Sequence, residues 1–227
     1  MIQAAIFDMD GLMLDTEPAY RIAWQAASAE CGYELPDPLY FTLIGRGRRE
    51  GEQTLLDAFG PQFPVDRFRA ACLRRETEMF ETTPVPKKPG LDELLDLLDS
   101  CNISKAVATS TERRTAVAQL RAAKLLERFE AVATGDDVVN GKPAPDLFLL
   151  AARRLGVEPS RCIVFEDAEA GTIAAHSAGM TVFIVPDLKR PSAEVRSLAK
   201  GTFASLVDVA DHLRFLGLFG SVPAPKR

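Results

Sequence analysis

The chain has 227 residues, of which 47% are hydrophobic and 26% charged, a globular balance that excludes disorder, collagen and coiled coil as descriptions of the whole. Its formal charge of −5 argues against a surface built to bind nucleic acid or another polyanion, but not against a small anion held in one pocket. At this length roughly 70% of the unfolded chain's surface is expected to be buried, enough for a core without disulfide staples.

The first apolar run, residues 2–7, stops abruptly at Asp8-Met9-Asp10-Gly11, which reads as a strand entering a turn. The N-terminus has neither a basic region nor a long apolar stretch, so no signal peptide or membrane span is expected and the cytoplasm is the expected location. Thr16 and Pro18 mark a helix start, with Thr as the cap and Pro in the first turn. Helical patterns cover residues 20–31, 48–59 and 66–81, and no convincing strand lies between 17 and 81. Cys31, Cys72, Cys101 and Cys162 are widely and irregularly spaced, so they are expected to be free thiols rather than zinc ligands or disulfides.

The Pro-rich stretch 84–90 reads as a linker, and after it the pattern changes. Helices are predicted at 91–99, 112–123, 146–155 and 168–178. Short apolar strands are predicted at 105–108, 131–134, 162–165 and 181–185, and the tail from 221 is expected to fray. Strands that are apolar throughout and alternate with helices argue for a parallel sheet covered on both faces. The predicted fold class is therefore α/β: a doubly wound, parallel-sheet (Rossmann-like) core with an inserted α-helical cap. The core takes residues 1–14 and 87–227, and the cap takes 15–86.

In an open parallel sheet, ligands sit beyond the carboxyl ends of the strands, and chemically capable residues fall there. Asp8 and Asp10, two apart on an extended backbone, project to one side, where paired carboxylates share a proton or hold a cation. A solvated turn is the competing reading. Gly11 permits a tight backbone path that lets both carboxylates face one point. Glu166 and Asp167 follow the strand at 162–165, suited either to capping the next helix or to a hard cation such as Mg²⁺. Thr109, Ser110 and Thr111 end another strand, where hydroxyls cap a helix or bind a phosphate oxygen. Lys142 precedes Pro143-Ala144-Pro145, a stiff loop suited to aiming a cation at a defined anion.

In combination and in order, these stretches resemble the haloacid dehalogenase (HAD) superfamily. The matching segments are Phe7-Asp-Met-Asp-Gly-Leu-Met-Leu-Asp-Thr-Glu17, Val107-Ala-Thr-Ser110, Gly141-Lys-Pro-Ala-Pro-Asp146 and Phe165-Glu-Asp-Ala-Glu-Ala-Gly171. The insertion after the first strand resembles the helical cap of the β-phosphoglucomutase-like phosphatase group. The resemblance implies a Mg²⁺-dependent phosphomonoester hydrolase in which Asp8 attacks phosphorus to give an aspartyl-phosphate. It implies Asp10 as the acid and base, and Thr109, Ser110 and Lys142 as phosphate ligands. Asp8, the Asp10 carbonyl and Asp167 would hold the metal, with Glu166 in or near its ligand set.

Dehalogenases of this fold need neither a metal nor the second Asp, so Asp10 and the Glu166-Asp167 pair favour phosphoryl transfer. β-Phosphoglucomutases commonly carry a His in the first cap helix where this sequence has Tyr20, which favours a phosphatase over an intramolecular phosphomutase. Arg48 and Arg49, in the basic stretch at 44–50, match a place where capped relatives grip substrate anions. A phospho-receiver signalling module also uses Asp, Thr and Lys, but it is shorter, lacks the insertion and has no use for Asp10. The implied partner is a small phosphorylated metabolite, with no nucleic acid, membrane or obligate protein partner.

Overall fold

The structure, a computed structural model, describes residues 2–44, 48–82 and 85–216. Strand β1 (Ala4–Phe7) leads into four helices: α1 (Glu17–Glu30), α2 (Asp37–Leu43), α3 (Arg48–Phe59) and α4 (Val65–Thr82). The chain then alternates through α5 (Leu91–Ser100), β2 (Ser104–Ala108), α6 (Arg113–Ala122), β3 (Ala131–Ala133), α7 (Asp146–Leu155) and β4 (Cys162–Glu166). It ends with α8 (Glu169–Ser177), β5 (Thr181–Ile184), α9 (Ala193–Leu198), β6 (Gly201–Thr202) and α10 (Leu206–Leu216). The six strands form one sheet in the order β3-β2-β1-β4-β5-β6, every pair parallel. This is the doubly wound, Rossmann-like fold expected from the alternation of strands and helices.

The strands are apolar on both faces because both faces are covered. Ala5, Phe7, Val107, Ile163, Phe165 and Phe183 point into a cluster with α5, α6 and α10. Ala4, Ile6, Ala106, Val164 and Val182 point into a second cluster with α7 and α8. A side-chain period of two, applied to continuous apolar runs, thus supplies two separate cores. The helical insertion has a third cluster of its own, built around Ala27, Tyr40, Leu55, Phe63, Phe68 and Cys72.

The insertion joins the sheet through two chain crossings that pair with each other. Leu14 forms an antiparallel bridge with Lys87. The Asp15 N–H donates to the Pro86 carbonyl at 2.9 Å, and the Lys88 N–H to the Met13 carbonyl at 2.8 Å. Lys88 Nζ reaches Asp15 at 2.9 Å and Asp187 at 2.6 Å, tying both crossings to the segment after β5.

Several local expectations need correction. Thr16 stands at the N-cap position of α1, but its backbone is already helical and its buried hydroxyl has no hydrogen-bond partner among the described residues. The Thr16 carbonyl instead takes the first helical N–H groups, those of Ala19 and Tyr20. Helix α2 is additional to the predicted elements; Pro36 stands at its N-cap and Pro38 in its first turn, where a missing N–H does no harm. Helices α9 and α10 and strand β6 are likewise additional to the predicted elements. All four cysteines are free, and no described helix is long and apolar enough to cross a membrane. The tail from 221 lies outside the described residues.

Phe7 is fully buried, with ring centroids 4.8 Å from Phe165 and 5.7 Å from Phe129. Phe7→Ala is expected to cost about 3–5 kcal/mol of stability, because the site cannot collapse around the lost ring. Urea denaturation followed by circular dichroism measures this.

Candidate active site

Sheet register assembles the centre. Phe7 pairs with Val107 on one side and with Phe165 on the other, so Asp8 emerges level with Glu166. The Asp8 N–H continues the ladder to the Phe165 carbonyl at 3.0 Å. Gly11 has φ +81°, and a Cβ there would lie 2.6 Å from Asp167 Oδ2. The turn after Asp10 therefore passes the Asp167 carboxylate closer than an L side chain allows.

Lys142 completes the charge arrangement. Its Nζ lies 2.5 Å from Asp8 Oδ1 and 2.6 Å from Glu166 Oε1, and all three side chains are buried. The loop carrying it contains a cis Lys142–Pro143 peptide and runs into α7, whose Phe148 ring lies under the ammonium, 4.8 Å from centroid to Nζ. The other oxygen of Glu166 accepts the N–H groups of Asp167 and Ala168, each at 2.9 Å. Glu166 therefore holds the turn that precedes α8 with one oxygen and faces Lys142 with the other.

Asp8, Glu166 and Asp167 each offer an oxygen, and these oxygens lie within 4.8 Å of one another. Burial is the largest influence on Asp8; Lys142 draws its pKa down, Glu166 and Asp10 push it up, and the balance stands at about 8. Burial, followed by Glu166 and Asp8, holds Asp167 well above the carboxylate range. Burial opposes the charge on Lys142, but Asp8 and Glu166 keep it above the usual lysine range. Three converging carboxyls facing one ammonium cannot all ionise without further positive charge, and their all-oxygen donor set suits a hard divalent cation.

Asp10 is separately held. Its Oδ1 accepts the Tyr20 hydroxyl at 3.0 Å; its Oδ2 accepts Thr111 Oγ1 at 2.7 Å and Thr109 Oγ1 at 3.2 Å. Thr109 Oγ1 also receives the Thr111 N–H at 3.0 Å. Tyr20, from the insertion, further meets Gln119 Nε2 at 3.3 Å and Thr111 Oγ1 at 3.4 Å. Burial, followed by the charge of Asp10, holds the Tyr20 hydroxyl well above its ordinary range, so it remains a donor.

The structure thus brings together Asp8, Asp10, Thr109, Lys142, Glu166, Asp167 and Tyr20. Ser110 lies exposed beside them. Arg48 and Arg49 begin α3, but their side chains, like all of residues 45–47, lie outside what the structure describes. Sequence reasoning missed Thr111 as a partner of Asp10, although it sits in the same Thr109-Ser110-Thr111 run. It also missed Glu76 on α4. Glu76 Oε1 accepts the Trp24 indole N–H at 2.7 Å, and burial, then Asp10 and Glu112, push its pKa up to about 7 against that bond.

Fold and site together define a Rossmann-like enzyme with a carboxylate centre at its strand ends and a helical insertion above it. The family model for haloacid dehalogenase-like hydrolases matches residues 2–179. The chain is 36% identical over 179 residues to the phosphorylated carbohydrates phosphatase of Thermotoga maritima, covering 79% of this chain and 82% of that protein. It is 37% identical over 177 residues to the fructose-1-phosphate phosphatase YqaB of Escherichia coli, covering 77% and 92%. The crystal structure of CbbY from Rhodobacter sphaeroides in complex with phosphate superposes with a TM-score of 0.80 at 28% identity, covering 92% of this chain and 96% of that one. The chain belongs to the haloacid dehalogenase-like hydrolases, in the group that contains these phosphatases.

Two expectations follow from the geometry. A Cβ at Gly171, on α8, would fall inside the Glu166 carboxylate. Gly171→Ala should therefore force Glu166 away from Lys142 and lower stability by roughly 1–3 kcal/mol, read by urea denaturation. Trp24 is the chain's single tryptophan. Its intrinsic fluorescence should titrate with a midpoint near pH 7 as Glu76 ionises, and Glu76→Gln should flatten that transition.

Proposed function

We propose that the protein is a Mg²⁺-dependent phosphatase that hydrolyses small phosphorylated metabolites, namely sugar, polyol or nucleoside monophosphates, through an aspartyl-phosphate on Asp8. The observation that carries this reading is the buried Asp8–Lys142–Glu166 cluster, with Asp10 held two residues away by three hydroxyls. Asp8 Oδ1 is paired with Lys142, which offsets part of the repulsion between a carboxylate nucleophile and an anionic ester. Lys142, Thr109 and Ser110 hold the phosphoryl oxygens as charge shifts during transfer. Asp10 gives its proton to the departing alkoxide and later takes one from the attacking water. An alkoxide is a poor leaving group, so this proton carries much of the first step.

Asp8, Asp167 and the Asp10 carbonyl would hold Mg²⁺, with Glu166 beside them; when bound, the ion supplies charge neutralisation between the nucleophile and the phosphoryl group. Residues 15–86 act in this reading as a cap hinged at the paired crossings 14 and 87, closing over the strand ends to exclude water and choose substrates. Its separate apolar cluster supports motion as a unit. The relatives named for phosphorylated carbohydrates and fructose 1-phosphate support the substrate range. Free thiols and the small-metabolite chemistry support a cytoplasmic setting.

The purified protein with Mg²⁺ should release phosphate from members of a sugar, polyol and nucleotide phosphate panel. Asp8→Asn should reduce kcat at least a thousandfold, and EDTA should abolish turnover until Mg²⁺ is restored. Phosphate release retained by Asp8→Asn would overturn the mechanism. Interconversion of hexose phosphate isomers without release would assign a mutase instead.

A further inference from the structure

Glu76 is a half-buried carboxylate that the proposed chemistry does not use. It lies on the stripe of α4 that meets α1: Trp24 donates to Glu76, and one turn on in α4 and one turn back in α1 Phe80 packs edge-on against Tyr20, with ring centroids 5.4 Å apart. The same stripe of α1 delivers the Tyr20 hydroxyl to Asp10. Glu76 therefore stands on the insertion's side of Asp10, and the two charged groups acting on it, Asp10 and Glu112, are both acids. Glu17, the first residue of α1, adds another half-buried carboxyl, its Oε2 accepting the Tyr40 hydroxyl at 2.8 Å; Asp10 and Asp187 act on it as acids, and Lys88, already paired with Asp15 and Asp187, acts in the opposite sense. Lys142 lies on the opposite side, with Asp8 and Glu166.

This polarity has a chemical consequence, which rests on the phosphatase reading above. If Asp10 protonates the ester oxygen, the leaving group extends from Asp10 toward α1 and α4. Among the described residues, only Oε1 of Glu76 receives a hydrogen bond, from Trp24, so Oε2 can accept one from a substrate hydroxyl. A second anion at that place would meet half-buried carboxylates, whose like charge repels it.

We infer that Glu76 sets the substrate class: it accepts a hydroxyl of the leaving group and rejects one that carries a second anionic group. The enzyme accordingly takes monophosphates of neutral polyols or sugars and discriminates against bisphosphates and phosphorylated carboxylic acids.

The test compares kcat/KM within two pairs at pH 8: glycerol 3-phosphate against 3-phosphoglycerate, and fructose 1-phosphate against fructose 1,6-bisphosphate. The wild type should favour the first member of each pair by at least about tenfold. Glu76→Gln, which keeps an acceptor for Trp24, should cut that preference about tenfold, chiefly by lowering KM for the doubly anionic member. Glu76→Asp, which keeps the charge, should retain most of the preference, as a purely structural role would not require. An unchanged preference in Glu76→Gln overturns the assignment, as does a wild type that favours the second anion, the outcome expected if Arg48 or Arg49 grips it. Phosphate release with an unchanged ratio defeats the role of Glu76 alone. Absence of release from every phosphate ester tested defeats the phosphatase reading as well.

Discussion

The structure depends on one buried ammonium. Lys142 stands between Asp8 and Glu166 where none of the three side chains is well solvated. Carboxylates brought together in a protein interior either bind protons or acquire a positive partner. Each surrounding feature serves that contact: the register of β1 and β4 sets the acids level, Phe148 supports the lysine from below, and Gly171 leaves room for Glu166. Backbone N–H groups of Asp167 and Ala168 occupy the second Glu166 oxygen, so Lys142 need not satisfy both. Charge balance still falls short by design of the donor set, since Asp167 joins the acids without a second lysine. Their raised pKa values record that shortfall, and the same oxygens could hold a hard cation in place of the protons.

The insertion reaches this centre by two routes of different kinds. At the crossings, backbone pairing between residues 13–15 and 86–88 is reinforced by Lys88, whose ammonium links Asp15 to Asp187. These contacts fix where the helices attach. The second route is a side chain: Tyr20 extends from α1 to Asp10, Thr111 and Gln119. Its hydroxyl joins residues from the insertion and from two segments of the sheet layer around one carboxylate. Any displacement of α1 from the strand ends must break those hydrogen bonds, which couples the seating of the insertion to the environment of Asp10.

The core was legible in the sequence because its signals are local. A strand that is apolar on both faces and ends in Asp8-Met9-Asp10-Gly11 states its period, its burial and its chemistry within ten residues. The Glu166-Asp167 pair and Lys142 were readable for the same reason, each following an element of clear type. The insertion was less legible. In α4, Glu76 falls on the apolar stripe of Phe68, Cys72 and Phe80, but only packing against α1 shows Trp24 as its partner. Helix α2, seven residues opening on Pro36 and Pro38, is too short to show a helical period. Thr16 shows the opposite error, a good capping residue whose side chain tertiary packing turned inward.

Net charge was least informative of all, because the site is polarised along its length. Lys142 answers anionic charge at one end, while Asp10, Glu17 and Glu76 gather at the other. The hydroxyls around Asp10 suit a group asked to carry a proton at one moment and release it at the next. Lysine or a backbone N–H can only donate, and would favour the carboxylate over the acid. A hydroxyl donates to the carboxylate and, after rotation, accepts from the carboxylic acid. In the proposed mechanism Thr109, Thr111 and Tyr20 therefore hold Asp10 in place through groups that can reorient as a proton leaves and returns.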